Sequence, residues 1–181
     1  AGEDPYMTGA YYSPRENNVH LGIEVVAAGD PISTPYQTIF HEYGHMMDSL
    51  IARQLGISGY AQYSEIYQNG LLGRTAKAEM QAHLERAKRL DPMRVTDHDA
   101  ASFIIAEAKR KYRSSVDRGD LSDIMEGAGI GRGYPLGAGH GLDYYMRRDN
   151  GVEIFAEITD ASVANPGALK AIKDYFPKTY Q

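Results

Sequence analysis

The sequence has no cysteine, which excludes disulfides and any thiolate metal site. It has no excess of positive charge: 19 Lys and Arg stand against 24 Asp and Glu, for a net charge of −5. That balance argues against a nucleic-acid partner. It has no apolar run of about 18 residues, so no helical membrane span is expected. It has no Gly-Lys-Ser/Thr, so the phosphate-loop motif is missing. Internal repeats and low-complexity tracts are also lacking. The first residues do not read as a signal peptide, and the chain opens on Ala1. We therefore expect a domain excised from a longer protein, with any targeting signal outside it. Its 181 residues, 43% hydrophobic, suit a single domain over 1–181 with one core.

Residues 1–18, rich in Gly, Pro, Tyr and Asn, read as an irregular lead-in. "NVHLGIEVV" alternates, with Val19, Leu21, Ile23 and Val25 on one face, as in a half-buried edge strand. "STPYQTIFHEYGHMMDSLIARQLG" carries the best helix signals. Thr34 can cap it, Pro35 suits the first helical position, Gln37 closes a capping box, and Gly56 suits the stop. Ile39, Phe40, Tyr43, Met47, Leu50 and Ile51 are the expected buried side. Residues 57–72 are ambiguous.

Helical patterns follow over 74–90 and 97–117, the second opening at Thr96 or Asp97. Between Arg74 and Arg118 eleven basic residues are interspersed with seven acidic ones, as on a solvated helix surface. Seven glycines between Gly127 and Gly141 predict a long mobile loop that closes as a lid. Helices are expected over "GVEIFAEITDASV", capped by Asp149 or Asn150, and over "NPGALKAIKDYF", capped by Asn165 with Pro166 first.

The chemistry lies in "TIFHEYGHMMD". His41 and His45 are one helical turn apart and share a face. Two imidazoles at that spacing can hold Zn²⁺, and Glu42 beside the first is placed to take a proton from a zinc-bound water. The apolar frame of Ile39, Phe40, Met46 and Met47 implies a largely buried helix, where two unpaired histidines would be costly. Gly44 weakens the helix but leaves room for a close neighbour. A catalytic zinc needs a third protein ligand and an open position. No His occurs over 46–57, which points to an acidic ligand from a later helix. Glu153 and Glu157, four apart on one face, fit: one can ligate while the other hydrogen-bonds a ligand histidine. Asp48 could serve in that supporting way too. His140 could support an oxyanion, or be a fourth ligand if the site is only a staple.

HEYGH with Asp48, followed by "VEIFAEI" and the closing "PGALKAIKDYFPKTYQ", resembles the lethal-factor-like zinc metallopeptidases, the family of the anthrax toxin protease. That family is of gluzincin type. The resemblance implies an α+β, mostly helical zincin domain with a small β-sheet and the HExxH on its active-site helix. It implies His41, His45 and Glu153 as zinc ligands and Glu42 as general base, with Glu157 left as the supporting acceptor. It also implies a tyrosine before the ligand Glu that stabilises the oxyanion. "HGLDYYMRRDNGVE" offers Tyr144 and Tyr145; Tyr145, nearer the family's spacing though one residue longer, is the expected one.

"AYYSPRENNVHL", "TPYQTIFHEYGHMMD", "GHGLDYY" and "FAEITDASVANPGALKAIKDYFPKTYQ" together resemble the C-terminal domain of some phage minor head proteins. That likeness spans most of residues 10–181. It implies a prophage or virion context, in the virion or the infected bacterial cytoplasm rather than a secreted toxin, with phage head proteins as partners. The expected function is zinc-dependent hydrolysis of a peptide or protein substrate; the alternative is a non-catalytic, zinc-stapled structural domain. Neither a nucleic-acid nor a membrane partner is expected.

Overall fold

The computed structural model describes residues 10–22, 36–57, 59–91, 93, 95–145 and 150–181. The described residues are mostly helical, with one small antiparallel sheet among them, as an α+β reading requires. Strands β1 (Ala10–Ser13) and β2 (Asn18–Leu21) form a hairpin in which Tyr11 pairs with His20 and Tyr12 with Val19. The lead-in read as irregular thus supplies a strand. The Tyr11 and His20 rings stack at 4.5 Å, a cross-strand pair of the kind that holds a short hairpin together. Asn17 makes the tight return with φ 54°, a conformation Asn tolerates better than most residues. The expected strand beyond residue 22 and the expected cap at Thr34 and Pro35 lie outside the described residues.

Eight helices follow among the described residues: α1 (Gln37–Gln54), α2 (Tyr63–Ile66), α3 (Leu71–Leu90), α4 (Asp97–Lys111), α5 (Val116–Gly127), α6 (Leu142–Tyr145), α7 (Asn150–Ala164) and α8 (Pro166–Tyr175). Helix α3 buries Ala76, Met80, Leu84 and Ala87, the three- and four-residue spacing of one helical stripe. Thr96 caps α4 by accepting from the Asp99 amide; Asp97 and Asp99 lie at its start and Lys109 to Lys111 at its end, matching the helix dipole. Asn165 caps α8 in the same way through the Ala168 amide, with Pro166 behind it. The core lies where α3, α4, α5, α7 and α8 converge, around Ile104, Leu121, Ile154, Ile172 and Phe176. None of the helices is long and apolar enough to cross a membrane.

Three expectations need correction. The helix expected to run to 117 ends at Lys111, and a separate helix, α5, occupies 116–127. Helix α1 does not bury Tyr43 and Met47, which are exposed; it buries Gln37, Gly44, Asp48, Ser49 and Ala52. That face is small and polar because it lies against α7. The glycine-rich segment is pinned, not a free lid. Ser122 Oγ donates to the Ala138 carbonyl at 2.7 Å and accepts from the Leu136 amide at 2.9 Å. Glu126 accepts from the amides of Tyr134 and Gly141. At Gly139 φ is +129°, and a Cβ would overlap a Glu126 carboxylate oxygen, so this turn closes only over glycine.

Candidate metal centre

Helices α1 and α7 meet at Gly44. A Cβ there would lie 2.7 Å from Ala156 Cα, so the missing side chain is what lets the two backbones approach. The contact brings His41 and His45 opposite Glu153 and Glu157. His41 Nε2 and His45 Nε2 are 3.1 Å apart. Glu153 Oε2 lies 3.5 Å from the first and 3.6 Å from the second. Four-coordinate ions with bonds of about 2.0–2.1 Å hold neighbouring donor atoms roughly 3.3 Å apart. The three atoms already stand at that separation.

Glu153 is buried, and its Oε2 has no hydrogen-bond partner. A carboxylate oxygen so placed is costly unless a cation meets it. Its other oxygen accepts from the Tyr144 hydroxyl. Burial works against the Glu153 charge, but the two histidines overcome it and hold its pKa far below the carboxylate range. His41 turns its other nitrogen to Glu157, with Nδ1 3.1 Å from Oε1. Burial opposes a proton on His41, and Glu157 with Glu153 outweighs it and raises the pKa.

Glu42 lines the clefts on both sides of this centre, of about 340 and 360 Å³. Its Oε2 accepts from the Tyr12 amide of β1 at 2.7 Å, which ties the strand to the motif helix. Asp48 is directed elsewhere: its carboxylate accepts from the Ser64 amide and hydroxyl and holds α2 beneath α1. It supports the motif helix rather than a ligand histidine.

His140 leaves its glycine-rich segment toward the centre. Its Nδ1 lies 2.7 Å from Asp123 Oδ2 and its Nε2 3.9 Å from Glu153 Oε2. Burial opposes a His140 cation, but Asp123 prevails and raises its pKa. The Tyr144 ring stacks on His140 at 4.3 Å and lines the larger cleft with His41, Glu42 and His45. Tyr145 donates its hydroxyl to Asp123 and packs against Gly127. Burial, reinforced by the Asp123 charge, pushes its pKa far up. Tyr144, rather than Tyr145, therefore presents its hydroxyl at the centre.

A third set of carboxylates adjoins the smaller cleft. Asp120, Glu157 and Asp160 approach one another, and Gln37 Nε2 donates to both aspartates at 2.7 Å. Burial, then the Asp160 charge, lifts the Asp120 pKa to about 8. Burial lifts that of Asp160 to about 6.

His41, His45 and Glu153 thus form a group able to hold a metal ion, and Asp123, His140 and Glu153 another that shares one carboxylate. Sequence reasoning missed Asp120, Asp123 and Asp160. The first two sit on α5, whose apolar spacing at Leu121, Ile124, Met125 and Ala128 was the signal that could have found them. No protein-family model, curated protein or solved structure matches the chain.

Proposed function

We propose that this chain is a zinc-dependent endopeptidase of gluzincin type. The observation that carries the reading is the donor triangle of His41, His45 and Glu153, with one buried carboxylate oxygen lacking a partner and Glu42 beside it. Two imidazoles and one carboxylate are a donor set that suits zinc and leaves a coordination position for water or substrate. The resemblance to lethal-factor-like peptidases and to the phage head-protein domain supports it and suggests peptide substrates, head proteins among them.

His41, His45 and Glu153 would hold the ion, and Glu157 fixes the His41 ring and its tautomer. Zinc bound there supplies a water acidic enough to ionise near neutral pH and an electrophile for a peptide carbonyl. Glu42 takes the proton from the attacking water and returns it to the departing amine. The Tyr144 hydroxyl and the His140 ring, steadied by Asp123, are the groups nearest the negative charge that develops on the carbonyl oxygen.

The test is zinc content followed by cleavage of a peptide library. Wild type should carry one zinc and cut peptides; Glu42→Gln should keep the zinc and lose about 10²–10⁴ in rate, the usual contribution of a general base. A zinc-loaded wild type that cuts nothing would refute the reading. One observation favours a structural staple instead: His140 Nε2 faces the Glu153 oxygen that faces the ligands. Metal spectroscopy with His140→Ala separates the two, because only a staple loses a ligand.

A further inference from the structure

The third carboxylate set differs in kind from the imidazole centre, because it offers oxygen alone. Asp120 of α5 and Glu157 and Asp160 of α7 each bring one oxygen within 4.8 Å of the others. Asp120 is 3% exposed and Asp160 2%. The Gln37 amide satisfies one oxygen of each aspartate. The other two, Asp120 Oδ2 and Asp160 Oδ1, are buried and have no hydrogen-bond partner. Among the described residues no Lys or Arg forms an ion pair with any of the three carboxylates. Gln37 can orient the aspartates but cannot neutralise them. Two orphaned carboxyl oxygens beside a third carboxylate are unsatisfied polar atoms in a buried wall, an arrangement that a cation relieves. All four side chains also line the cleft of about 340 Å³, which gives an ion a way in and room for its waters.

We propose that Asp120, Glu157 and Asp160 form a second metal site, for a hard divalent cation, Ca²⁺ foremost. An all-oxygen donor set selects the Ca²⁺, Mg²⁺ and Mn²⁺ class over zinc or copper. Ca²⁺ takes six to eight oxygen ligands in a flexible geometry, which suits three protein carboxylates completed by water. Mg²⁺ demands a stricter octahedron, keeps several of its waters and is usually held by only one or two carboxylates. Glu157, whose Oε1 lies 3.1 Å from His41 Nδ1, then belongs to both centres. Occupancy of the oxygen site therefore fixes the carboxylate that orients a zinc ligand.

The inference needs neither turnover nor zinc. Chelator-treated full chain is titrated with CaCl₂ by calorimetry and by thermal melting, first without zinc and then with one equivalent of it. One equivalent of Ca²⁺ should bind in both cases and raise the melting temperature. Asp120→Asn and Asp160→Asn should each weaken Ca²⁺ at least 10-fold, and both should still fill with one zinc, because His41, His45 and Glu153 are unchanged. Both should melt no lower than wild type in chelator, since Asn keeps the shape and removes the repulsion. Absence of Ca²⁺ binding at millimolar concentration overturns the proposal. So does Ca²⁺ binding that survives in both variants, which would place the ion elsewhere, and so does uptake of Mg²⁺ or Mn²⁺ in preference to Ca²⁺. Loss of zinc binding with Ca²⁺ binding retained would sink the peptidase reading and leave the second site standing.

Discussion

Gly44→Ala puts one methyl group between α1 and α7, where the balance of two opposed effects can be worked out. In an isolated helix the change gains about 1 kcal/mol, because glycine is the poorer helix former. In this protein the added Cβ would lie 2.7 Å from Ala156 Cα, 3.2 Å from the Ala156 carbonyl oxygen and 3.2 Å from Thr159 Cβ. Two carbon atoms rest at about 3.5–4.0 Å. The nearest obstacle is backbone, which no rotamer change can clear. The helices must therefore part by roughly 1 Å, a forced repacking that costs about 1–3 kcal/mol. Net stability without metal falls by about 0–2 kcal/mol.

The larger consequence is at the metal centre. His41 and His45 ride on α1 and Glu153 on α7, so parting the helices stretches the 3.5 and 3.6 Å edges of the donor triangle and leaves the 3.1 Å edge alone. Those edges would approach about 4.5 Å, well beyond the roughly 3.3 Å that a four-coordinate ion spans. Zinc affinity should drop by at least 10–100-fold, the range seen when a ligand loses its support. Competition against a chromogenic chelator measures it, and melts in excess chelator measure the stability term. A Gly44→Ala protein that melts higher than wild type and binds zinc equally well would refute the close approach and with it the account of the site.

Glu153→Ala should fail to hold zinc at micromolar concentration, whereas Glu157→Ala should bind it 10–100-fold more weakly and still fill in excess metal; the reverse order in a metal titration would exchange their roles. Tyr144→Phe should lower peptide turnover with zinc retained, whereas Tyr145→Phe should act indirectly, by loosening Asp123 and His140; steady-state rates and zinc content of both variants decide. The Asp160 carboxyl, near 3.8 when free and about 6 in the fold, penalises the charged protein. Its favourable contribution is complete below about pH 4 and is lost as pH rises through 6, on the order of 3 kcal/mol. In chelator, wild type should therefore lose stability relative to Asp160→Asn across that interval; parallel melting curves from pH 4 to 8 would contradict this.

The parts of the site that were legible in the sequence share one property: their partners are near in the chain. The pairing of His41 with His45 follows from helical period alone, and Glu153 and Glu157 could be placed on one face by the same rule, though period could not divide their roles. The caps at Thr96 and Asn165 are local chemistry too, and both appear as expected. What could not be read was anything decided between distant elements. Asp48, on the ligand helix three residues past His45, was an equally reasonable supporting acceptor, yet Ser64 claims it first. The tyrosine pair shows the limit most sharply: adjacent residues on a short helix point their hydroxyls to different carboxylates, Tyr144 to Glu153 and Tyr145 to Asp123. A spacing rule counts residues to the ligand, but the direction of α6 is set by its packing on α5, which the sequence pattern did not reveal.

The glycine-rich segment was misread for the same reason. Seven glycines do allow a mobile chain, and without tertiary partners mobility is the sound expectation. Here Glu126 and Ser122, both on the unrecognised α5, take its amides and a carbonyl. At Gly139 the glycine serves fit rather than motion, since a Cβ would strike Glu126. The pinning also places a side chain. His140 directly follows Gly139, and its ring is held by Asp123 on that same helix. A free lid would leave His140 without a fixed place; a pinned segment holds its ring against Asp123 and 3.9 Å from Glu153. The glycines that looked like a hinge are, on this geometry, what allows a rigid turn to pass close enough to α5 for one helix to set both the turn and the histidine it delivers.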